Sequence, residues 1–277
     1  MVRRNRERGS MRALTPMLLF AILAFGVAVG LSPLVRQETS AATAASVQSG
    51  TTTMTAGAGS AQSVTATITT VDPTRSILFF NVRGDSDQPA DGMARGQITN
   101  GTTLTFTRAD DSSLTNLTVS WHVAEFSSGV SVQRGTYTGV QPGGSVTISA
   151  IDPAKSFVLV SGESATGDID YSSDDFFRAR LTSATTLDIT HGAAATPRTA
   201  DWQVVEFTGA SVQRGTGTLT SLQASTTAAI TTIDPARAIA LISWSTDGAG
   251  SGPNFLRARL STASELTIER GATGTNI

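Results

Sequence analysis

One stretch of this chain occurs twice, and that constrains the fold more than any other feature. Trp202-Gln-Val-Val-Glu-Phe207 runs on to Val212-Gln-Arg-Gly215, and Trp121-His-Val-Ala-Glu-Phe126 runs on to Val132-Gln-Arg-Gly135. The tryptophans are 81 residues apart and the tetrads 80 apart. A fixed period of this length means that one structural unit is used several times, so the fold of one unit decides the rest.

With that period in hand, six short β-type runs recur in each unit. The first begins at Val47, Val132 and Val212. The second ends on Asp72-Pro, Asp152-Pro and Asp234-Pro, where Asp bonds the backbone two residues on and proline blocks extension, so a turn is expected. The third is apolar throughout (Ile77–Phe80, Phe157–Val160, Ile239–Ile242), as suits a strand buried on both faces or at the centre of a sheet. The fourth places Arg95, Arg178 and Arg257 in one column, with Gln97, Arg180 and Arg259 two residues on and hence on the same strand face. The fifth alternates, as in Leu104-Thr-Phe106 and Leu187-Asp-Ile189, and the sixth is the tryptophan strand. Short strands with turn signals between them, and no helical period after residue 46, predict an all-β chain of tandem antiparallel β-sandwich repeats. The expected divisions are 1–45 for a leader, then 46–130, 131–210 and 211–277 for three units. Only a few residues join one unit to the next, so the units are expected to be tightly coupled.

The third unit differs. After Ile268-Glu-Arg-Gly271 no third Trp-x-Val-x-Glu-Phe strand follows. A sandwich short of one strand exposes an edge that templates pairing with another chain. Two readings stand: the strand is supplied in trans, by a second copy or another surface protein, or the unit is simply atypical, as terminal repeats commonly are.

Composition narrows the function. The chain has no cysteine, so no disulfide framework holds it. Residues 1–45 carry six arginines against two glutamates, which leaves the remainder at −6 of a total of −2, an acidic balance that excludes phosphate-backbone binding. Arginines up to Arg12 precede an apolar run from Met17 to Leu31, the pattern of a secretory signal peptide with a small-residue cut at Ala42-Thr-Ala44. An uncleaved anchor helix and a prepilin-type leader cut near Gly9 are the alternatives. All three put residues from about 46 onward outside the cytoplasm, with the membrane touched only through this segment.

Candidate chemistry is sparse. The two histidines, His122 and His191, fall at different repeat positions, and without cysteine they complete no zinc set. No Gly-x-Ser-x-Gly elbow is present. Glu125 and Glu206 recur at one place in their strands but belong to separate units, whereas paired glycosidase carboxylates lie roughly 5–10 Å apart. A cross-strand pairing with Arg95 and Arg178 is the expected role. The loop Gly167–Asp175 gathers enough carboxylates to make calcium a candidate, without the spacing of an EF-hand. Arg83-Gly-Asp85, and the sequons at Asn100 and Asn116, are short matches that carry no weight.

The succession Val-Gln-[Ser/Arg]-Gly, apolar strand, Arg-x-Arg-Leu, then Ser120-Trp121-x-Val123 resembles the H-type lectin domain, the family of the snail agglutinins. The resemblance covers each unit of about 80 residues and implies a six-stranded β-sandwich, trimers, and binding of N-acetylgalactosamine or related sugars. The chain departs from the family in having no cysteines, three units in one chain and no recognisable sugar-contact loop, so no sugar-binding residues carry over. Aromatic side chains in the variable loops, Tyr171 or Phe176, are the first suspects for a sugar contact. The expectation is an exported, non-enzymatic structural or adhesive protein, with glycan binding as the alternative. Its marker positions are Trp121, Trp202, Glu125, Glu206, Arg95, Arg178, Arg257, Asp72, Asp152 and Asp234.

Overall fold

The structure is a computed structural model that describes residues 42–55, 61–84, 86–110, 115–140, 143–192, 194, 196–249 and 254–277. Residues 1–41 of the expected leader and the Asp85 end of the Arg-Gly-Asp tripeptide lie outside these residues, while Thr43–Ala45 at its end already belong to the first strand. Among the described residues no helix is long and apolar enough to cross a membrane.

The chain is all-β, built from antiparallel three-stranded sheets. The first pair of sheets uses β1 (Thr43–Met54), β2 (Ala61–Thr67), β3 (Ser76–Gly84), β4 (Arg95–Asn100), β5 (Thr103–Asp110) and β6 (Leu117–Ser128). One sheet runs β1-β6-β3 and the other β2-β5-β4. Between them lie Met54, Ile68, Val71, Leu78, Ile98, Leu104, Phe106, Leu117, Val119, Trp121 and Val123, all buried. The period-two alternation predicted for these runs is what sends alternate side chains into this shared layer.

The second pair uses β7 (Val130–Gly139), β8 (Gly144–Thr147), β9 (Ser156–Glu163), β10 (Arg178–Ser183), β11 (Thr186–Thr190) and β12 (Arg198–Phe207). Its sheets run β7-β12-β9 and β10-β11-β8, the strand order of the first pair, around a core that includes Ile148, Leu187, Ile189, Trp202 and Val204. The tryptophan strand is central in both cases, pairing β6 with β1 and β3, and β12 with β7 and β9. The apolar third runs, β3 and β9, prove to be edge strands of their three-stranded sheets rather than central ones. A third cluster joins the two pairs: Ile77, Phe79 and Phe126 of the first meet Val130, Val132, Phe157, Val205 and Phe207 of the second. The expected tight coupling is therefore a packed apolar interface.

The third set has one sheet only, β13 (Ser225–Ala229), β15 (Glu265–Arg270) and β14 (Leu256–Thr262), in the order β13-β15-β14. The strands expected from Val212 and over Ile239–Ile242 are not formed: 210–220 and 238–246 carry no ladder. In the other sets these two flanks bond to the tryptophan strand between them; here the described residues at that place are the last ones of the sequence, with Leu219 and Ile277 exchanging both backbone bonds at 2.9 Å and Asp247 N donating to Asn276 O at 3.1 Å. A second departure is the single α-helical turn α1 (Pro89–Gly92), where a loop was expected; proline at its first position presets the backbone.

Candidate functional site

The recurring polar residues prove to be the joints of this architecture. Each Asp-Pro turn folds into a short 3-10 turn, at Pro73–Arg75, Pro153–Lys155 and Pro235–Arg237. Asp72, Asp152 and Asp234 cap these turns as expected, accepting from Thr74 N at 2.9 Å, Ala154 N at 2.9 Å and Ala236 N at 3.0 Å.

Glu125 and Glu206 do not pair with the arginine column, which corrects that expectation. The Oε1 of Glu125 accepts from the backbone N–H of Asp72 at 2.8 Å, and that of Glu206 from Asp152 at 3.1 Å. The reason is topological. The glutamates end the central strand of one sheet, while the arginines stand on the other sheet. Strand period assigns a face, but not the sheet that face belongs to. Arg95 instead reaches the second pair of sheets, with ion pairs of 3.0 Å to Glu163 and 3.1 Å to Asp201. Burial works against its charge, but Asp201 and Glu163 more than offset this and hold its pKa above the ordinary value. Arg257 bonds Glu269 across its own sheet at 3.2 Å and is largely exposed. Arg178 has no ion-pair partner among the described residues, although it shares the column of Arg95.

The tryptophans lie over glycines of the neighbouring strand. A Cβ on Gly50 would meet Trp121 Cζ2 at 2.5 Å, and one on Gly135 would meet Trp202 Cζ2 at 2.6 Å. Only a residue without a Cβ admits the indole there. Gly215, in the same column of the Val-Gln-x-Gly tetrad, has nothing within 4 Å.

Two further columns of the tetrad carry roles that strand period did not reveal. Gln48, Gln133 and Gln213 each clamp their segment to the end of the second run. Each side-chain amide both donates and accepts: Gln48 Nε2 donates to Thr69 O at 2.8 Å and its Oε1 accepts from Thr69 N at 2.7 Å. Gln133 does the same to Ser149, and Gln213 to Thr231. Next to them, Arg134 reaches back into the first pair of sheets, donating to Pro73 O at 2.6 Å and Ser76 O at 2.7 Å. Arg214 donates to Pro153 O and to Ser156 O in the same manner. Burial pushes the Arg134 guanidinium down to about 10, with the charge of Asp72 opposing it. The column is not uniform: the first unit has Ser49 where the second and third have Arg134 and Arg214. Two more contacts join successive sets. Gly96 N donates to Ser161 Oγ at 3.2 Å and Ala179 N to Ser243 Oγ at 3.0 Å. The amide of Gln203 brackets Leu78, accepting from its N–H at 3.0 Å and donating to its C=O at 2.9 Å.

Against this background the third set is open. Leu104 and Leu187 are fully buried, as are Phe106 and Ile189, but their counterparts Leu266 and Ile268 are only half-buried. Ile230, Ile233 and Leu260 are half-buried as well, where Ile68, Val71 and Ile98 are buried. Ile239 and Leu241 are 45% and 42% exposed, whereas Ile77 and Phe157 are buried at the same place.

The acidic loop does gather its carboxylates: ligand oxygens of Asp168, Asp174 and Asp175 lie within 4.8 Å of one another. The cation among them is Arg198, which bonds Asp168 at 3.1 Å and Asp174 at 2.5 Å. Burial raises the Asp175 carboxyl to about 6. Ser164 Oγ stands within hydrogen-bond reach of both Asp168 and Asp175 and has one proton to give. His191 is buried beside Tyr137 and Phe177, with Nδ1 2.6 Å from Gly192 O, and burial lowers its pKa. In its column Arg108 and Arg270 are buried and tie loops through backbone carbonyls, Arg270 to Gln223 O at 2.8 Å and Thr220 O at 2.6 Å. Of the two suspected sugar contacts, Phe176 is 4% exposed and stacked on Trp244, while Tyr171 stands edge-on to Phe255 at 5.2 Å. Comparison with family models, curated proteins and solved structures finds no match for this chain.

Proposed function

We propose that this is an exported, non-enzymatic protein of three tandem β-sandwich repeats with a structural or adhesive role at the cell surface. The observation that carries the reading is the reuse of one contact set between successive repeats: Arg134 and Arg214 on the preceding turn, Ser161 and Ser243 on the preceding fourth strand. Such contacts join unlike surfaces, and unlike-surface contacts propagate into rings or open chains. Flanks that carry no ladder among the described residues, 212–218 and 239–245, are of the kind on which another chain's backbone can pair. Export is supported by the basic head and apolar run before residue 32.

Light scattering and negative-stain microscopy of the full chain across a concentration series test this reading. Fibres or open chains that lengthen with concentration are expected. A discrete monomer or closed trimer at every concentration refutes the building-block role.

A second reading, glycan binding, has one observation in its favour besides the resemblance to H-type lectins. Phe255 is 47% exposed and stands against Tyr171 in the variable loops, an aromatic surface of the kind on which sugar rings stack. Retention on N-acetylgalactosamine beads that free sugar reverses would support it, and flow-through on a full glycan panel would end it.

A further inference from the structure

We propose that Tyr171 and Phe255 form a binding site for an organic cation, a quaternary ammonium group such as that of choline. The site lies where all three sets meet and does not rest on the assembly reading above. It gives this aromatic surface a charged ligand in place of the neutral sugar ring of the second reading.

The rings are fixed from several sides. Tyr171 is held against the first pair of sheets, where a Cβ on Gly92 of α1 would meet its hydroxyl at 2.8 Å. In the same loop Asp168 O accepts from Ala90 N at 3.3 Å. Phe255 follows Asn254, which is fully buried, accepts from Thr246 Oγ1 at 3.0 Å and donates to Gly248 O at 3.1 Å. The backbone carbonyl of Asn254 accepts from Trp244 Nε1 at 2.7 Å. Behind both rings, the buried Phe176 stands 6.2 Å from Tyr171 and 5.5 Å from Phe255, and is itself stacked on Trp244 at 5.9 Å. A phenyl ring that is 47% exposed yet so firmly placed suits a binding surface, because little freedom remains to be lost when a ligand arrives.

Shape and charge say what the surface recognises. Tyr171 and Phe255 are 5.2 Å apart at 74°, so together they make a corner rather than a flat platform. A compact tetrahedral group touches both rings of a corner at once, whereas a sugar ring stacks on one flat face. The negative faces of aromatic rings attract cations. Carboxylates reinforce this. Burial raises the pKa of the Tyr171 hydroxyl, and the negative charges of Asp175 and Asp87 raise it further, so both act at this site. Asp87 is exposed, as is Asp170 next to Tyr171. Arg198 is engaged by Asp168 and Asp174, and among the described residues Asp87, Asp170 and Asp175 have no ion-pair partner. A primary ammonium is strongly hydrated, while a quaternary one spreads its charge over methyl groups that give up water readily to the rings. The phosphates of a lipid surface would face these carboxylates, so the group is one carried singly and not in a bilayer.

The test is saturation-transfer NMR of choline with the full chain in a mild non-ionic detergent. Saturable transfer to the methyl groups is expected, with a Kd on the order of 1 mM or tighter. The uncharged tert-butyl analogue, with carbon in place of nitrogen, should bind at least roughly tenfold more weakly. Phe255→Leu keeps an apolar side chain but removes the ring, so it should weaken choline roughly fivefold or more and narrow its preference over the analogue. Asp87→Asn should weaken choline by roughly threefold and leave the analogue unchanged. Both positions are exposed, and circular dichroism should show both variants folded. No saturable transfer to choline overturns the inference, as do equal binding of the analogue and binding that neither variant weakens. Capture by phosphatidylcholine vesicles that Phe255→Leu abolishes would overturn the singly carried source. Transfer to N-acetylgalactosamine but not to choline would remove this inference and leave the glycan reading; choline binding with flow-through on a glycan panel would do the reverse.

Discussion

Replacing each tetrad glycine by alanine should give opposite signs in different sets, and the structure supplies the magnitudes. In Gly135→Ala the new Cβ would sit 2.6 Å from Trp202 Cζ2 and 3.0 Å from Cε2, where ordinary contact begins near 3.4 Å. Trp202 is 7% exposed within a closed core, so the indole must shift by almost 1 Å against packed neighbours. Overpacking of this kind costs about 1–3 kcal/mol. Alanine recovers about 0.4–1 kcal/mol by restricting the unfolded chain, so a net loss of about 1–2 kcal/mol is expected. For a set of roughly this size that corresponds to a fall of about 4–15 °C in melting temperature. Gly50→Ala, facing Trp121 at 2.5 Å, should behave alike. Gly215→Ala meets nothing within 4 Å and should leave stability unchanged or raise it by up to about 1 kcal/mol. Differential scanning calorimetry of the three single variants reads this directly. A loss at Gly215 equal to that at Gly135, or no loss at Gly135, would refute the indole-on-glycine argument.

Other expectations follow from the joints. Arg134→Ala removes bonds to Pro73 O and Ser76 O, one of several polar ties between the first two pairs of sheets. The melting temperature by calorimetry should fall, and Lys at this position should not restore it because one ammonium cannot span two carbonyls as a planar fork does. Asp175, raised to about 6 by burial, gives a pH signature. Its folded pKa lies above its unfolded one, so its contribution is fully present near pH 4 and is lost as pH rises through about 6. The loss is on the order of 3 kcal/mol for a carboxyl displaced by about two units. Asp175→Asn should therefore gain stability relative to the parent between pH 4.5 and 7.5 in urea titrations; parallel profiles for the two proteins would contradict the assignment.

Much of this fold is legible in the sequence, and the failures have definite causes. The Asp-Pro turns, the alternation of Leu104-Thr-Phe106 and the apolar third run identify strands because their information is local. Arg95 was placed on the correct strand face and given the wrong partner, because its carboxylates, Glu163 and Asp201, belong to the next set and are distant in sequence. The glutamates were likewise visible as a column, but their acceptor role needs the turn of a strand across the sheet. Residues 212–218 and 239–242 read as strands from pattern alone, yet a strand exists only with a partner, and theirs is the tryptophan strand. The tetrad glycine is the instructive case. Its pairing with a tryptophan in two sets, and with none in the third, can be read by counting, but the open space above Gly215 appears only in three dimensions.

The central claim is that, among the described residues, 212–218 and 239–245 carry no ladder, whereas the equivalent flanks of the second set are paired on β12. Amide hydrogen exchange on the full chain, resolved by peptide mass spectrometry, tests it most directly. Residues 132–138 and 156–163 flank β12 and should be strongly protected, with slow exchange set by opening of the second core. Residues 213–218 and 239–245 should exchange orders of magnitude faster, apart from those that bond to neighbouring residues. Equal protection of both pairs of segments would mean that the flanks of the third set are paired as well, and would contradict the account.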